Sequence, residues 1–243
     1  MKNTIMNLVD RTMELVAPHK CYGCGQPETV LCDRCTTYIL QQTCPICGVC
    51  RKRLRSGNLC KDCRKAASNH LTDLQAVGWR VGILRKLTNE YKFQSRYRLG
   101  QTLARLMCRV IPADLKGHQD VGVCYIPTIR RHIRQRGFDH MERVAEVLGR
   151  QLDCPVVCPL VRLDNHVQHG ANQRERKLIK YSLGIVPNKL PAKIILLDDI
   201  WTTGATMQTA AQLLRSMGVR RVYGVVVCIQ PRETEKVHLS GLK

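Results

Sequence analysis

The sequence predicts a mostly parallel, doubly wound α/β sheet preceded by a small cysteine-rich module. Three observations carry that prediction. Nine of the 14 cysteines crowd between Cys21 and Cys63. From Leu74 onward, short apolar runs alternate with stretches of helical periodicity, the pattern of strand–helix–strand units. The run KIILLDD is apolar without alternation, as in a strand covered on both faces. We divide the chain into residues 1–18, an amphipathic helix; residues 19–70, the cysteine module; and residues 74–243, the α/β domain.

In the first segment Ile5, Leu8, Val9, Met13 and Val16 fall at helical spacing, while Asp10, Arg11 and Glu14 interrupt the apolar positions. The segment therefore reads as a surface-packed helix and not as a secretory signal. No apolar run is long enough to span a bilayer, so a cytoplasmic protein is expected. In that setting a disulfide framework fits poorly and metal binding fits well.

The cysteines fall in four C-x2-C pairs: Cys21 and Cys24, Cys32 and Cys35, Cys44 and Cys47, Cys60 and Cys63. Two intervening residues let a tight turn aim both sulfurs at one ion, and two such turns supply the four thiolates of a closed tetrahedral zinc site. Eight cysteines then make two structural Zn²⁺ sites. The pairing is read as sequential, first turn with second and third with fourth, with an interleaved pairing as the alternative. Gly25 and Gly48 follow the turns, where a positive φ is expected. Cys50 is read as surplus. Cys108, Cys124, Cys154, Cys158 and Cys228 sit in apolar surroundings and read as small core residues. The basic run Arg51 to Arg55 reads equally as a nucleic-acid contact or a solvated loop. No internal repeat is evident.

In the α/β domain, LQAVGWRV, VGVCYIP, CPVVCPLV, KIILLDD and RRVYGVVVCI read as strands. ILRKLTNEYKF, LGQTLARLMCRVI, DHMERVAEVLGRQL and TGATMQTAAQLLRSMG read as helices, the last stopped at Gly218. Residues 162–180 are polar and basic and read as a loop.

The formal charge is +20, and the excess is uneven. Between Arg85 and Arg136 there are 12 basic residues against 3 acidic ones. Such a stretch attracts polyanions. Tyr91, Phe93 and Tyr97 lie within it, placed either to stack on bases or, the reading preferred here, to form the packed face of a helix.

The segment LLDDIWTTGATM, residues 196–207, carries the chemistry. In such folds ligands bind beyond the carboxyl ends of the strands, where Asp198 and Asp199 fall. The loop that follows enters a helix, whose first amides and dipole suit a phosphate. Thr202, Thr203 and Thr206 add hydroxyls, and Gly204 admits a close approach. The two acids repel a phosphate but accept hydrogen bonds from sugar hydroxyls or hold a divalent cation. A sugar diol beside a phosphate meets both demands.

This segment resembles the 5-phosphoribosyl 1-diphosphate (PRPP) loop of type I phosphoribosyltransferases: an apolar strand, two acids, then a T-T/S-G-x-T cradle. The resemblance implies that Asp198 and Asp199 contact the ribose hydroxyls and that Thr202, Thr203, Gly204, Ala205 and Thr206 hold the 5′-phosphate. It also implies Mg²⁺ accompanying PRPP. A double zinc ribbon ahead of such a domain resembles the ComF/GntX family of bacterial competence-associated proteins, over nearly the whole chain. In that family YIPTIRRHIRQRGFDHMERVAEVL is similar to a P-V-P…R-R-G-Y-N-Q…L segment, implying a diphosphate-facing wall of Pro127, Arg131, Arg134, Arg136 and Gly137. HVQHGANQRERKL is similar to a hood loop, with Gln168 and Arg176 matching and Arg174 close by. The pattern departs at Tyr125, Gln135, Asp139–His140, Ala171, Ile179 and Trp201.

The family resemblance implies a role in DNA uptake and transformation, with PRPP, single-stranded DNA and DNA-import or recombination proteins as partners. The competing reading is an active phosphoribosyltransferase, in which an acceptor displaces diphosphate from C1 of PRPP. The residues name neither a catalytic base nor an acceptor.

Overall fold

The computed structural model describes residues 20–42, 44–93, 97–129, 133–134, 138–162, 181–183 and 189–239. The helix expected over residues 1–18 lies outside them.

The cysteine module is built twice on one plan. In the first turn Cys21 N–H donates to the Gln26 carbonyl (2.8 Å) and Gly25 N–H to the Cys21 carbonyl (2.9 Å). In the second, Cys47 N–H donates to Lys52 (2.8 Å) and Arg51 N–H to Cys47 (2.9 Å). Isolated bridges close both turns, Lys20 with Pro27 and Ile46 with Arg53. A helix follows each: α1 (Asp33–Gln41), with Cys32 as N-cap, and α2 (Lys61–Lys65), with Cys60 as N-cap. The two N-caps have the same backbone, φ −76° and ψ 163° against φ −74° and ψ 163°. The copies are displaced by 26 residues in the turns and by 28 at the helix starts. This repeat was not expected from the sequence, because apart from the cysteines and the turn geometry little recurs.

The repeat also corrects the expected glycine. Gly25 has φ 79°, but its counterpart is Arg51, at φ 67°, and not Gly48. A non-glycine residue in the left-handed region carries strain. Here its side chain is held in place: Arg51 Nη2 donates to the Gln230 carbonyl at 2.8 Å and pairs with Glu235 at 2.6 Å. Its guanidinium also lies 5.6 Å from the Trp79 ring centroid. Arg51 is therefore a buried clasp between the module and the C-terminal helix, neither a solvated loop residue nor a nucleic-acid contact.

The main sheet has four parallel strands in the order β1–β6–β5–β2: β1 (Asp73–Trp79), β2 (Val121–Tyr125), β5 (Lys193–Trp201) and β6 (Arg221–Ile229). A separate antiparallel pair joins β3 (Leu160–Arg162) to β4 (Tyr181–Leu183). Helices cover both faces. Below lie α3 (Gly82–Phe93), α4 (Tyr97–Val110) and α5 (His140–Leu152); above lies α6 (Ala205–Ser216). The alternation of β5 sorts its side chains accordingly. Ile195 and Leu197 pack with Leu103, Met107, Val144 and Leu148, whereas Ile194 and Leu196 pack with Met207, Ala210 and Leu214. Tyr91 is buried in the first of these cores, as a packed-face residue. A short helix, α7 (Glu233–Leu239), follows β6 and was not anticipated.

One expected strand is divided. CPVVCPLV makes a single parallel bridge, Val123 with Val156, before β3 begins at Leu160. Pro155 and Pro159 each remove an amide donor, which breaks the ladder.

The module lies along the open edge of β1, fastened by Asn58. That residue is 3% exposed. Its backbone N–H donates to the Leu74 carbonyl at 2.9 Å, and its Oδ1 accepts Ala76 N–H at 2.9 Å. Its Nδ2 donates to the carbonyls of Cys44 (2.6 Å) and Ile46 (3.1 Å). One side chain thus joins the second turn to the sheet. Asn58→Ala leaves these buried groups without partners and is expected to cost about 2–4 kcal/mol. Urea unfolding checks this; a loss below about 0.5 kcal/mol counts against the assignment.

Candidate functional site

Two groups of four cysteines bring their sulfurs within 4.8 Å of one another: Cys21, Cys24, Cys32 and Cys35; and Cys47, Cys50, Cys60 and Cys63. The first is the expected set, and the pairing of turns is sequential. The second corrects the expected set, with Cys50 replacing Cys44. CPICGVC contains two overlapping C-x2-C spacings, and spacing alone does not choose between them. The repeat chooses, because Cys47 and Cys50 stand where Cys21 and Cys24 stand in the first copy. Cys44 is buried, with its thiol pushed up to about 12 by burial. It belongs to the core beside Ile46 and Leu59.

The chemistry of both groups fits a cation. Burial opposes ionisation of Cys21, but the amides of Cys24, Cys32 and Gly23 outweigh it and bring the thiol down to about 6. Cys47, its counterpart, is brought down to about 7 in the same way, against burial, by the amides of Cys60, Cys50 and Val49. The last thiol of each set goes the other way. Burial and the neighbouring thiols push Cys35 up to about 12 and raise Cys63 as well. Each cluster thus holds a thiol that ionises readily and another that resists. A divalent ion removes that resistance, and both sets have the four thiols of a closed structural zinc site.

The phosphate-type loop lies at the carboxyl edge of the sheet. β2 ends at Tyr125, opposite Leu197, so Asp198 and Asp199 extend past it while still paired to β6. Trp201 closes β5, Thr202 and Thr203 are exposed, and Gly204 is the N-cap of α6 at φ 82° and ψ −4°. The glycine is obligatory on two counts. Its backbone is left-handed, and a Cβ there would sit 2.2 Å from Trp201 Cζ2. The loop therefore presents the first amides of a helix of 12 residues beside exposed threonine hydroxyls.

The two acids differ. Asp198 is half-buried and accepts the Asp199 N–H at 2.9 Å. Asp199 is buried, and its Oδ2 lies 3.2 Å from His140 Nε2. The other ring nitrogen of His140 is 3.0 Å from Thr128 Oγ1. Asp139 completes the network. It accepts the Thr128 N–H (2.7 Å) and hydroxyl (3.1 Å), and it caps α5 through Met141 N–H (3.0 Å). Tyr91 donates its hydroxyl to the His140 carbonyl at 2.7 Å. The Asp139–His140 departure is thus the buried support of the second acid. Asp139 followed by Glu142 has the form of a capping box, the sequence signal that could have placed Asp139.

Residues 134–240 match the model of the phosphoribosyl transferase domain. Competence protein F of Haemophilus influenzae is 29% identical over 202 residues, covering 79% of this chain and 87% of its own. Competence protein ComFC of Bacillus subtilis is 27% identical over 203 residues, covering 74% and 82%. DNA utilization protein YhgH of Escherichia coli is 26% identical over 209 residues, covering 75% and 89%. Two four-cysteine groups precede the domain match. Together these fit a ComF-like protein.

In this ComF-like chain the expected diphosphate wall is described only in part. Pro127 is buried after β2, and Arg134 is exposed. Arg131, Arg136 and Gly137 lie outside the described residues, as do Gln168, Arg174 and Arg176 of the expected hood loop. Sequence reasoning missed Cys50, Arg51, Thr128 and the roles of Asp139, His140 and Trp201. Among the described residues no helix is long and apolar enough to cross a membrane.

Proposed function

We propose that this competence-associated, ComF-like protein binds PRPP with Mg²⁺ at residues 198–206 and uses that domain in the handling of single-stranded DNA during transformation. The observation that carries the ligand is Gly204, left-handed at the start of α6, three residues after a strand that carries two adjacent acids near its carboxyl end. In this reading Thr202 to Thr206 hold the 5′-phosphate and Asp198 meets a ribose hydroxyl. Asp199 acts from behind, fixed by His140. Pro127, Arg131, Arg134, Arg136 and Gly137 face the diphosphate, with Gln168, Arg174 and Arg176 above it. Mg²⁺, when bound, neutralises diphosphate charge, and Asp198 is the carboxylate that would meet it from the protein side.

The DNA reading draws on the relatives, two competence proteins and a DNA utilization protein, and on the surface. Arg85 and Lys86 of α3, and Arg98, Arg105 and Arg109 of α4, are all exposed, a basic face suited to a phosphate backbone. Residues 19–70 act as a structural double zinc ribbon with two Zn²⁺. The match to a phosphoribosyl transferase domain favours a second reading, in which the chain turns PRPP over with an acceptor. Release of diphosphate from PRPP would separate that reading from binding alone.

Calorimetry with PRPP–Mg²⁺ and with single-stranded DNA on one preparation tests the proposal. The double change Asp198→Asn with Asp199→Asn is expected to reduce PRPP affinity at least about 100-fold and to leave DNA affinity unchanged. Native PRPP affinity in that variant sinks the assignment. Transformation that survives the change makes the PRPP site dispensable to the biological role.

A further inference from the structure

The phosphate loop and the second cysteine cluster meet on one side chain. Trp201 is the last residue of β5 and is 2% exposed. Its indole Nε1 donates to the Gly48 carbonyl at 3.0 Å. Gly48 lies inside the turn between Cys47 and Cys50, two members of the second cluster. Two glycine backbones close on that indole from different sides. A Cβ on Gly204 would meet Trp201 Cζ2 at 2.2 Å and Cη2 at 2.5 Å, and one on Gly48 would meet Nε1 at 2.9 Å. The phosphate loop rests on the indole, and the indole is hydrogen-bonded to the turn.

A second tether runs beside the first. Gln208, in the first turn of α6, accepts His70 N–H at 2.8 Å and donates to Asn69 Oδ1 at 2.8 Å. Both partners lie in the segment that leaves α2, the helix carrying Cys63. On its other side the turn is joined to Asn58, whose carbonyl accepts the Gly48 N–H at 2.9 Å. The first cluster has no such connection among the described residues. Gly23, within its turn, packs against Ile83 of α3 instead. Tyr22, Val30 and Ile39 of that copy join the core on the opposite face of the sheet from α6.

We propose that Trp201 is a positioning residue that makes the shape of the phosphate loop conditional on metal in the second cluster, and not on metal in the first. This rests on the PRPP reading of the loop. Without its ion the Cys47–Cys50 turn loses its common anchor, and the Gly48 carbonyl is no longer held for the indole. A buried N–H without a partner is unfavourable, so the indole shifts and the Gly204 turn above it shifts too. Ligand affinity at residues 202–206 then reports the metal state of a site that the ligand never touches.

The test uses the full chain with both sites loaded with zinc. It compares Trp201→Phe, Cys50→Ser, Cys24→Ser and the double change of the first two. PRPP–Mg²⁺ affinity and amide hydrogen exchange at residues 202–206 are the readouts. Trp201→Phe and Cys50→Ser are each expected to weaken PRPP about tenfold and to speed exchange in the loop. Cys24→Ser is expected to do neither, and the double change to be no worse than the more severe single one. Equal effects of Cys24→Ser and Cys50→Ser overturn the proposal, as do native behaviour of Trp201→Phe or additive effects in the double change. If Cys50→Ser does not fold, graded zinc removal from the native chain and from Trp201→Phe replaces it. Loop exchange should follow loss of the second ion only in the native chain, and the same response in both overturns the proposal. A native chain that does not bind PRPP refutes the ligand reading alone, and the exchange comparison still decides the coupling.

Discussion

Cys50→Ser is expected to leave one zinc ion per chain, whereas Cys44→Ala keeps two. Cys50 is exposed, so its replacement opens no cavity. What it removes is one of the four ligands of a closed site. The apparent binding free energy of such sites is on the order of 10 kcal/mol, and most of it is folding free energy for a small module. Cys50→Ser should therefore loosen residues 44–63 while the first cluster retains its ion. Cys44→Ala removes a buried thiol and is expected to cost only about 1–2 kcal/mol. Metal analysis by mass spectrometry reads both. Loss of an ion from the Cys44 variant, with two retained in the Cys50 variant, would reverse the assignment of the second cluster.

Gly204→Ala is the second change with a large effect. It forces a side chain into a left-handed backbone, which costs about 1–2 kcal/mol. The new methyl would also meet Trp201 at 2.2 Å, and overpacking of that kind adds about 1–3 kcal/mol. The melting temperature should fall by several degrees, and PRPP binding should drop below detection by calorimetry. The two costs are separable. In a Trp201→Leu background the clash is relieved, and the same glycine change should cost only the backbone component. An equal cost in both backgrounds would show that the indole does not sit beneath the loop.

Much of this molecule was legible as sequence. KIILLDD is a central strand because its apolar residues serve both faces, and both cores claim it. The first cluster followed from spacing, because Cys21 to Cys35 offers one set of four. The second did not, because CPICGVC carries two C-x2-C frames, and what decides between them is the folded turn that repeats the first copy and the approach of Cys60 and Cys63 to Cys47 and Cys50. Arg51 deceived for a related reason. A left-handed position after a cysteine turn announces itself when it is glycine, and here it is an arginine stabilised by Glu235, 184 residues away. His140 looked like a substitution that weakened the site. Only the folded chain brings it 3.2 Å from Asp199. Local pattern was readable, and partners supplied from distant segments were not.

Asn58 has a consequence beyond holding two parts together. β1 is an edge strand, and the carbonyl of Leu74 and the amide of Ala76 point away from β6 into the grip of that one residue. An edge whose hydrogen-bonding groups are open is a template on which another chain can add a strand. The cysteine module covers these groups of the edge through Asn58. A fragment begun at residue 73 would carry the whole four-stranded sheet and lack Asn58, and it is expected to self-associate through that edge. Removing metal from the proposed zinc sites is therefore expected to lower solubility as well as PRPP affinity.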